Sequence, residues 1–159
     1  MVNPIVSKIA AIILSFSLSV NQIPSDIINN IDDTDCVAGY SISNEEKEIL
    51  IRIAEAEATG GTKEQKKNVM TCVMNRVLTG WASTIKGVVF QKGQFTPISD
   101  GRYYSVKIEK STREAYDEWI QEGLTHDCIY FCSYGCKSSF FAKKGEPTFK
   151  DGIHRYYRK

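Results

Sequence analysis

Two helix-capping boxes on either side of a glycine pair constrain the fold of this chain most. Ser43 precedes Glu46 by three residues, and Thr62 precedes Gln65 by three residues. In this pattern the hydroxyl accepts a hydrogen bond from the backbone of the third residue, whose own side chain bonds back to the cap. Each box therefore predicts the start of a helix, and the glycines at 60–61 predict a tight turn between the two helices.

The two predicted helices have apolar faces that we expect to pack together. The first runs from Glu46 to Ala58, and the second runs from Thr62 to about Thr79, where a glycine ends it. Apolar residues at helical spacing predict one buried stripe on the second helix. The stripe consists of Val69, Met70, Val73, Met74 and Val77.

The rest of the chain predicts shorter helices followed by strands. A short helix is expected near 84–90, a loop at 91–104 and a fourth helix at 111–121. Aromatic and β-branched residues then favour short strands. These are Cys128–Tyr134, Ser139–Phe141 and Ile153–Tyr157. The order indicates an α+β fold, mainly helical with a small C-terminal antiparallel sheet.

The composition limits the possible partners. The 159 residues, with 42% hydrophobic and 25% charged side chains, suit one domain with a short extension. A net charge of +1 gives no electrostatic basis for nucleic acid as the main partner. The sequence has neither a phosphate-binding loop nor a dinucleotide fingerprint, so no cofactor is expected. We expect a monomer.

The chain is expected to have three segments. Residues 1–25 combine Lys8 with the short apolar stretch 9–20, which indicates a secretory signal peptide or an uncleaved signal anchor. Residues 26–42, with many Asn, Asp and Ser, predict a linker or loosely docked arm. Residues 43–159 are the predicted folded domain. That domain is therefore expected to be secreted or wall-associated, with membrane attachment only through the anchor.

The cysteines fit a compartment outside the cytoplasm. The five are Cys36, Cys72, Cys128, Cys132 and Cys136. Their odd number allows at most two intramolecular disulfides and leaves one thiol. The last three are spaced by four residues without a nearby histidine pair, which is a poor match to a zinc site, so no metal is expected. We expect one disulfide or buried thiols.

Glu57 stands where the first predicted helix should carry an apolar residue. Leu50, Ile53 and Ala54 occupy the preceding positions of its apolar stripe. Burial of a carboxylate is costly and raises its pKa, and a carboxyl group protonated near neutral pH can act as a general acid in glycoside cleavage. The alternative is a charge at the point where the helix reaches the surface.

Glu55 is expected to differ from Glu57 in its environment. It falls on another helix face together with Glu48 and Arg52. A solvated ion pair is the expectation there.

The order of several short motifs resembles the SleB-type cell wall hydrolases, a group that includes spore cortex-lytic enzymes. The resemblance extends from about Ile49 to the C-terminus. The motifs are Glu57–Gly61, Met74–Val77, Gly87–Gln91, Gly93–Pro97 and His154–Tyr157.

This resemblance implies a lysozyme-like catalytic domain that acts on peptidoglycan glycan strands. It implies cleavage of the β-1,4 bond between N-acetylmuramic acid and N-acetylglucosamine by a lytic transglycosylase reaction. The motif's glutamate, counted back from Asn75, falls on Glu57, which would act first as acid and then as base. Relatives commonly carry a second acid where this chain has Gly61, so we expect a slower or more purely transglycosylating enzyme. A spore, vegetative or phage lysis role stays open.

Six residues are candidates for contact with sugar. They are Gln94, Phe95, Thr96, Tyr103, Tyr104 and Asn75. The loop residues offer amide, aromatic and hydroxyl groups, and the two tyrosines are possible sugar platforms. Asn75 is also a candidate to brace the Glu57 region or to cap its helix. Arg76 is expected to pair with a surface acid, and His154 is expected to be structural.

Two other functions are compatible with the sequence. A Cys/His peptidoglycan amidase or endopeptidase would use Cys72 with His126 or His154. Cys72 lies in the middle of a helix, where no helix N-terminus lowers its pKa, so it is a poor nucleophile. A non-catalytic glycan-binding protein is the second alternative, and the missing acid at Gly61 is its only support.

Overall fold

The computed structural model describes residues 34–159. The predicted signal segment 1–25 lies outside the described residues, as do residues 26–33 of the predicted linker. Within 34–159, no helix combines the length and the apolar character that crossing a membrane requires.

The described residues form a helical part followed by a small sheet. The helices are α1 Asn44–Glu57, α2 Lys63–Leu78, α3 Ile85–Val89, α4 Thr96–Ser99, α5 Arg102–Ser105, α6 Lys110–Glu122 and α7 Ser139–Lys144. The strands are β1 Asp35–Val37, β2 Tyr40–Ile42, β3 Tyr130–Ser133, β4 Phe149–Lys150 and β5 His154–Tyr157. This confirms the predicted α+β class. The predicted loop 91–104 contains the short helix α4 and the start of α5.

The two predicted capping boxes are present and set the directions of α1 and α2. Ser43 Oγ accepts from the amide of Glu46, and Thr62 Oγ1 accepts from the amide of Gln65, each at 3.3 Å. The side chains of Glu46 and Gln65 in turn accept hydrogen bonds from the backbone amides of Ser43 and Thr62. The two helices pack on each other and on α6, and the core between them includes the fully buried Trp119.

The predicted linker ends in an ordered hairpin. Strands β1 and β2 are antiparallel, with Asp35 opposite Ile42. Val37 and Ile42 are buried in the main core, and the Asp35 carboxylate accepts hydrogen bonds from Lys47 and Tyr116. The described part of the segment 26–42 is therefore not a loosely docked arm, because its two apolar side chains and one carboxylate bind it to the helices.

The C-terminal sheet has the order β3-β5-β4, and both pairings are antiparallel. The prediction of a strand at Ser139–Phe141 is wrong, since this segment belongs to α7. Ser138 caps that helix by accepting a hydrogen bond from the Phe140 amide. The third strand is instead Phe149–Lys150, and the local cap outweighed the aromatic strand signal.

Side chains of α2 join the helices to the sheet. Asn75 Nδ2 donates to the carbonyls of His126 and Cys128, at 2.9 and 3.0 Å. Arg76 Nε donates to the Ile129 carbonyl at 2.7 Å. These bonds hold the segment that leads into β3 against α2, so the sheet stands beside the C-terminal end of α2.

Candidate active site

Glu57, the last residue of α1, lines a cleft of about 710 Å³. The cleft takes its lining from the helices, from the loop after α2 and from the sheet. The other lining residues are Arg76, Trp81, Gly93, Gln94, Thr96, Arg102, Tyr130, Phe131, Cys132, Ser133, Cys136, Phe140, Phe141 and His154. The cleft thus joins parts of the chain that are far apart in sequence.

The carboxyl group of Glu57 is in an environment that favours its protonated form. Burial raises its pKa to about 7, although the positive charges of Arg102 and Arg76 act in the opposite direction. Glu57 therefore changes its protonation state near neutral pH, which suits a group that must donate and accept a proton.

Arg102 is the charged neighbour that the loop supplies to Glu57. Its guanidinium donates to the Ala56 carbonyl at 3.0 Å and to the Asp100 carboxylate at 2.8 Å. These two bonds place a fixed positive charge beside the end of α1. This charge stabilises the ionised form of Glu57 and keeps its pKa from rising further.

Arg76 is buried, and the expectation that it pairs with a surface acid is wrong. Its guanidinium lies over the rings of Trp81 and Phe95, at 4.8 and 5.0 Å from the ring centroids. Within residues 34–159, the Nη1 atom of Arg76 has no hydrogen-bond partner. Arg76 therefore brings a largely uncompensated positive charge to the cleft, which also favours the Glu57 carboxylate.

Glu55 lies in the interior, where the sequence predicted a solvated ion pair. Its side chain is only 1% exposed, and Oε2 lies 3.1 Å from Lys66 Nζ. The Thr112 hydroxyl and the Glu109 amide donate to the same oxygen. Glu55 does not line the cleft. The helical wheel was misleading here because α6 covers this face of α1.

The six residues considered for sugar contact lie in different places. Gln94 and Thr96 line the cleft together with Glu57. Phe95 and Tyr103 are buried in the main core, and Asn75 is engaged by two carbonyl groups of the chain. Tyr104 is 65% exposed, and it is not among the lining residues.

Sequence reasoning missed most of the cleft lining on the sheet side. The missed aromatic residues are Trp81, Tyr130, Phe131, Phe140 and Phe141. Arg102, on the loop side, was also missed. The partial exposure of an aromatic side chain in a cleft has no sequence signature. Only the half-exposed Phe140 next to Phe141, on a short capped helix, carries a local hint of a functional surface.

The cysteine and histidine side chains do not form a nucleophile and its base. Cys72 is fully buried, and burial raises the pKa of its thiol to about 12. Burial lowers the pKa of His126 and of His154. His126 is held by the Asn68 carbonyl and the Cys128 amide. An inert thiol and two structural histidines do not favour the amidase alternative.

The cysteines are unpaired in the structure, and no metal cluster is found among residues 34–159. All five cysteines are free thiols, three of them buried. In this part of the chain no three side chains of the His, Cys, Asp or Glu types converge as a metal site would require.

Comparison with known proteins gives one family and two similar structures. Residues 60–157 match the family model described as Cell Wall Hydrolase. The catalytic domain of the germination-specific lytic transglycosylase SleB from Bacillus anthracis has a TM-score of 0.64 at 21% identity, covering 77% of this chain and 100% of that chain. The catalytic domain of the Bacillus cereus SleB protein has a TM-score of 0.65 at 20% identity, covering 77% and 95%. No curated protein matches the chain.

Proposed function

Because the chain belongs to the cell wall hydrolase family, we propose that it degrades peptidoglycan as a lytic transglycosylase. The bond cleaved is the β-1,4 bond between N-acetylmuramic acid and N-acetylglucosamine. The observation that carries the proposal concerns Glu57. Among residues 34–159 it is the only carboxyl side chain lining the cleft, and its pKa is raised to about 7. Two solved structures of similar fold support the proposal, and one of them is described as a lytic transglycosylase.

Glu57 carries both proton transfers of this reaction. In its protonated form it donates to the glycosidic oxygen, and the bond from that oxygen to C1 of the muramic residue breaks. The resulting carboxylate then accepts the proton of the C6 hydroxyl of the same sugar. The C6 oxygen attacks C1, which closes a 1,6-anhydro ring and returns Glu57 to its protonated form.

A single carboxyl group is sufficient for this sequence of steps. Two-carboxylate glycosidases place a second acid across the scissile bond, either as nucleophile or as base for water. Here the nearby Asp100 is bound to Arg102, which lowers the pKa of Asp100, and position 61 is glycine. The C6 hydroxyl of the substrate takes the place of the attacking water.

The positive charges around Glu57 fit the second half of the reaction. Arg102 and Arg76 both favour its ionised form. Burial opposes them, and the balance near pH 7 leaves both protonation states accessible at low cost. Peptidoglycan as substrate implies a place of action in the bacterial envelope or the spore, in agreement with the predicted N-terminal signal segment.

Mass spectrometry of the soluble products tests the proposal. Purified vegetative peptidoglycan and spore cortex are digested in parallel with the wild type, with Glu57→Gln and with Glu48→Gln. Glu48 is the matched control, since it lies on the same helix but is exposed and paired with Arg113. We expect anhydro-muropeptides from the wild type and from Glu48→Gln, and a loss of at least about 100-fold in Glu57→Gln.

Other product patterns would contradict parts of the proposal. Reducing-end muropeptides would indicate hydrolysis by a second group that activates water. Cleaved peptide stems on intact glycan would favour the amidase alternative. Glycan binding without any product, unaffected by Glu57→Gln, would indicate a non-catalytic binding protein.

A further inference from the structure

One side of the cleft is a continuous row of aromatic rings. Trp81, Tyr130, Phe140 and Phe141 contact one another in this order, and we call them the aromatic wall. Consecutive ring centroids are 5.4, 5.2 and 5.1 Å apart, each pair in an edge-to-face arrangement. All four residues line the same cleft as Glu57. The wall therefore continues the candidate active site toward the sheet and α7.

The phenylalanines of helix α7 hold it against the sheet. None of its residues is buried. Phe140 contacts Tyr130, and Phe141 contacts Tyr157 of β5. Phe140 nevertheless remains 46% exposed. A phenylalanine that anchors a helix needs no exposed face toward a cleft, and the exposed area is unfavourable in water unless a ligand covers it.

Two cations fix the orientation of the wall. Arg76 lies over the Trp81 ring, with 4.8 Å between the guanidinium carbon and the ring centroid. Lys144 Nζ lies 4.1 Å from the centroid of Tyr130. Cation–π contacts of this kind hold an aromatic ring without covering its remaining face. The wall is thus arranged before any ligand arrives, which reduces the entropy lost on binding.

We propose that the aromatic wall is a sugar-binding subsite, with Phe140 and Trp81 contacting a pyranose ring of the glycan strand. This inference rests on the proposed function. A pyranose ring has an apolar C–H face, which packs on an aromatic surface, and a polar rim, which needs hydrogen-bonding groups. Gln94 and Ser133 supply such groups in the same cleft. The subsite holds the strand while its scissile bond lies at Glu57.

Intrinsic fluorescence reports occupancy of this subsite directly. The chain has two tryptophans, and the second, Trp119, is fully buried in the core. The full chain carrying Glu57→Gln is titrated with glycan strands freed of their peptide stems, so that binding is measured without cleavage. We expect a saturable change in emission that is lost in Glu57→Gln/Trp81→Phe. Binding without any Trp81 signal would overturn the proposal.

The contribution of Phe140 is tested with a matched pair of variants. Phe140→Leu keeps an apolar anchor for α7 but removes the flat face, and Phe90→Leu is the control. Phe90 is 37% exposed and packs on Tyr103, outside the cleft. We expect Phe140→Leu to weaken glycan binding about three- to tenfold, and Phe90→Leu to leave it unchanged. Equal thermal unfolding midpoints show that both variants are folded.

The possible outcomes separate this inference from the proposed function. If the wild type cleaves glycan normally but Phe140→Leu and Phe90→Leu bind it equally well, the subsite proposal is overturned and the proposed function stands. If Phe140→Leu weakens binding of stem-bearing fragments but not of stem-free glycan, the wall contacts peptide and the proposal is overturned. If the wild type neither cleaves nor binds glycan, both the subsite proposal and the proposed function are contradicted.

Discussion

Lys66 and Glu55 form an ion pair inside the protein, with 3.1 Å between Nζ and Oε2 and neither side chain more than 1% exposed. The Thr112 hydroxyl bonds to both members of the pair. Glu57 lies two residues further along the same helix and lines the cleft. The pair therefore holds Glu55 in the interior, away from the cleft, so that Glu57 is the one of the two glutamates that faces the cleft.

Removal of the Glu55 charge is expected to affect stability rather than chemistry. Among residues 34–159, Glu55→Leu leaves Lys66 with only the exposed Glu109 as counter-charge. We expect a loss of about 3 kcal/mol in the free energy of unfolding. Glu55→Leu/Lys66→Met removes both charges and should recover most of this loss. Denaturant unfolding measures both. Equal stability of the single and double variants would contradict the argument.

The rate of cleavage is expected to fall as the pH rises through about 7. The first step of the proposed reaction requires protonated Glu57, and the pKa of Glu57 is raised to about 7. Above this value kcat/KM should decrease about tenfold per pH unit, because the protonated fraction does. A pH profile on soluble glycan fragments measures the descending limb. A limb near the ordinary glutamate pKa would contradict the assignment of Glu57 as the acid.

Glu57 is also expected to make stability depend on pH. Its folded pKa of about 7 exceeds the ordinary value of 4.5, so between these values the folded state binds more protons than the unfolded state. The stabilising contribution is complete below pH 4.5 and is lost as the pH rises through 7. Glu57→Gln should therefore be more stable than the wild type above pH 7, by about 1–3 kcal/mol. Chemical unfolding at pH 5 and pH 8 measures the difference, which should be small at the lower pH.

Arg102 is expected to set the position of the descending limb. Its positive charge lowers the pKa of Glu57, so Arg102→Met should move the limb upward by about 0.5–1 pH unit. Arg113→Met is the control, since Arg113 pairs with the exposed Glu48. A limb that stays in place in Arg102→Met, or moves equally in both variants, would show that Arg102 does not act on Glu57.

Position 61 is expected to accept no residue larger than glycine without a loss of stability. A Cβ there would lie 2.9 Å from the Ala58 carbonyl oxygen and 2.8 Å from Gln65 Oε1, which caps α2. Gly61→Ala should therefore cost about 1–3 kcal/mol in the free energy of unfolding. Gly135→Ala is the matched control, because nothing lies within 4 Å of its Cβ position. The same contacts predict that Gly61→Glu also requires a shift in the turn. An unaffected Gly61→Ala would refute this.

The predictions that the structure confirmed depend on short-range signals. The capping boxes at Ser43 and Thr62 are hydrogen bonds within one helical turn, so a few residues are sufficient to specify them. The wrong strand at Ser139–Phe141 has the same origin, because propensity was read without the competing cap at Ser138. For Glu57, the apolar stripe of the helix and the motif order indicated the same residue before any tertiary contact was known.

The sequence by itself determined the α1–α2 pair, the helices-then-sheet order, the family and the candidate Glu57, because periodicity, caps and motif spacing are local properties of the chain. Only the tertiary structure decided the burial of Glu55 and Arg76 and the assembly of the aromatic wall. These depend on which distant segments cover a given helix face: α6 covers Glu55, and β3 with α7 closes the cleft beside Trp81. Burial sets the pKa of a carboxyl group, and burial is a property of packed neighbours rather than of position in the sequence.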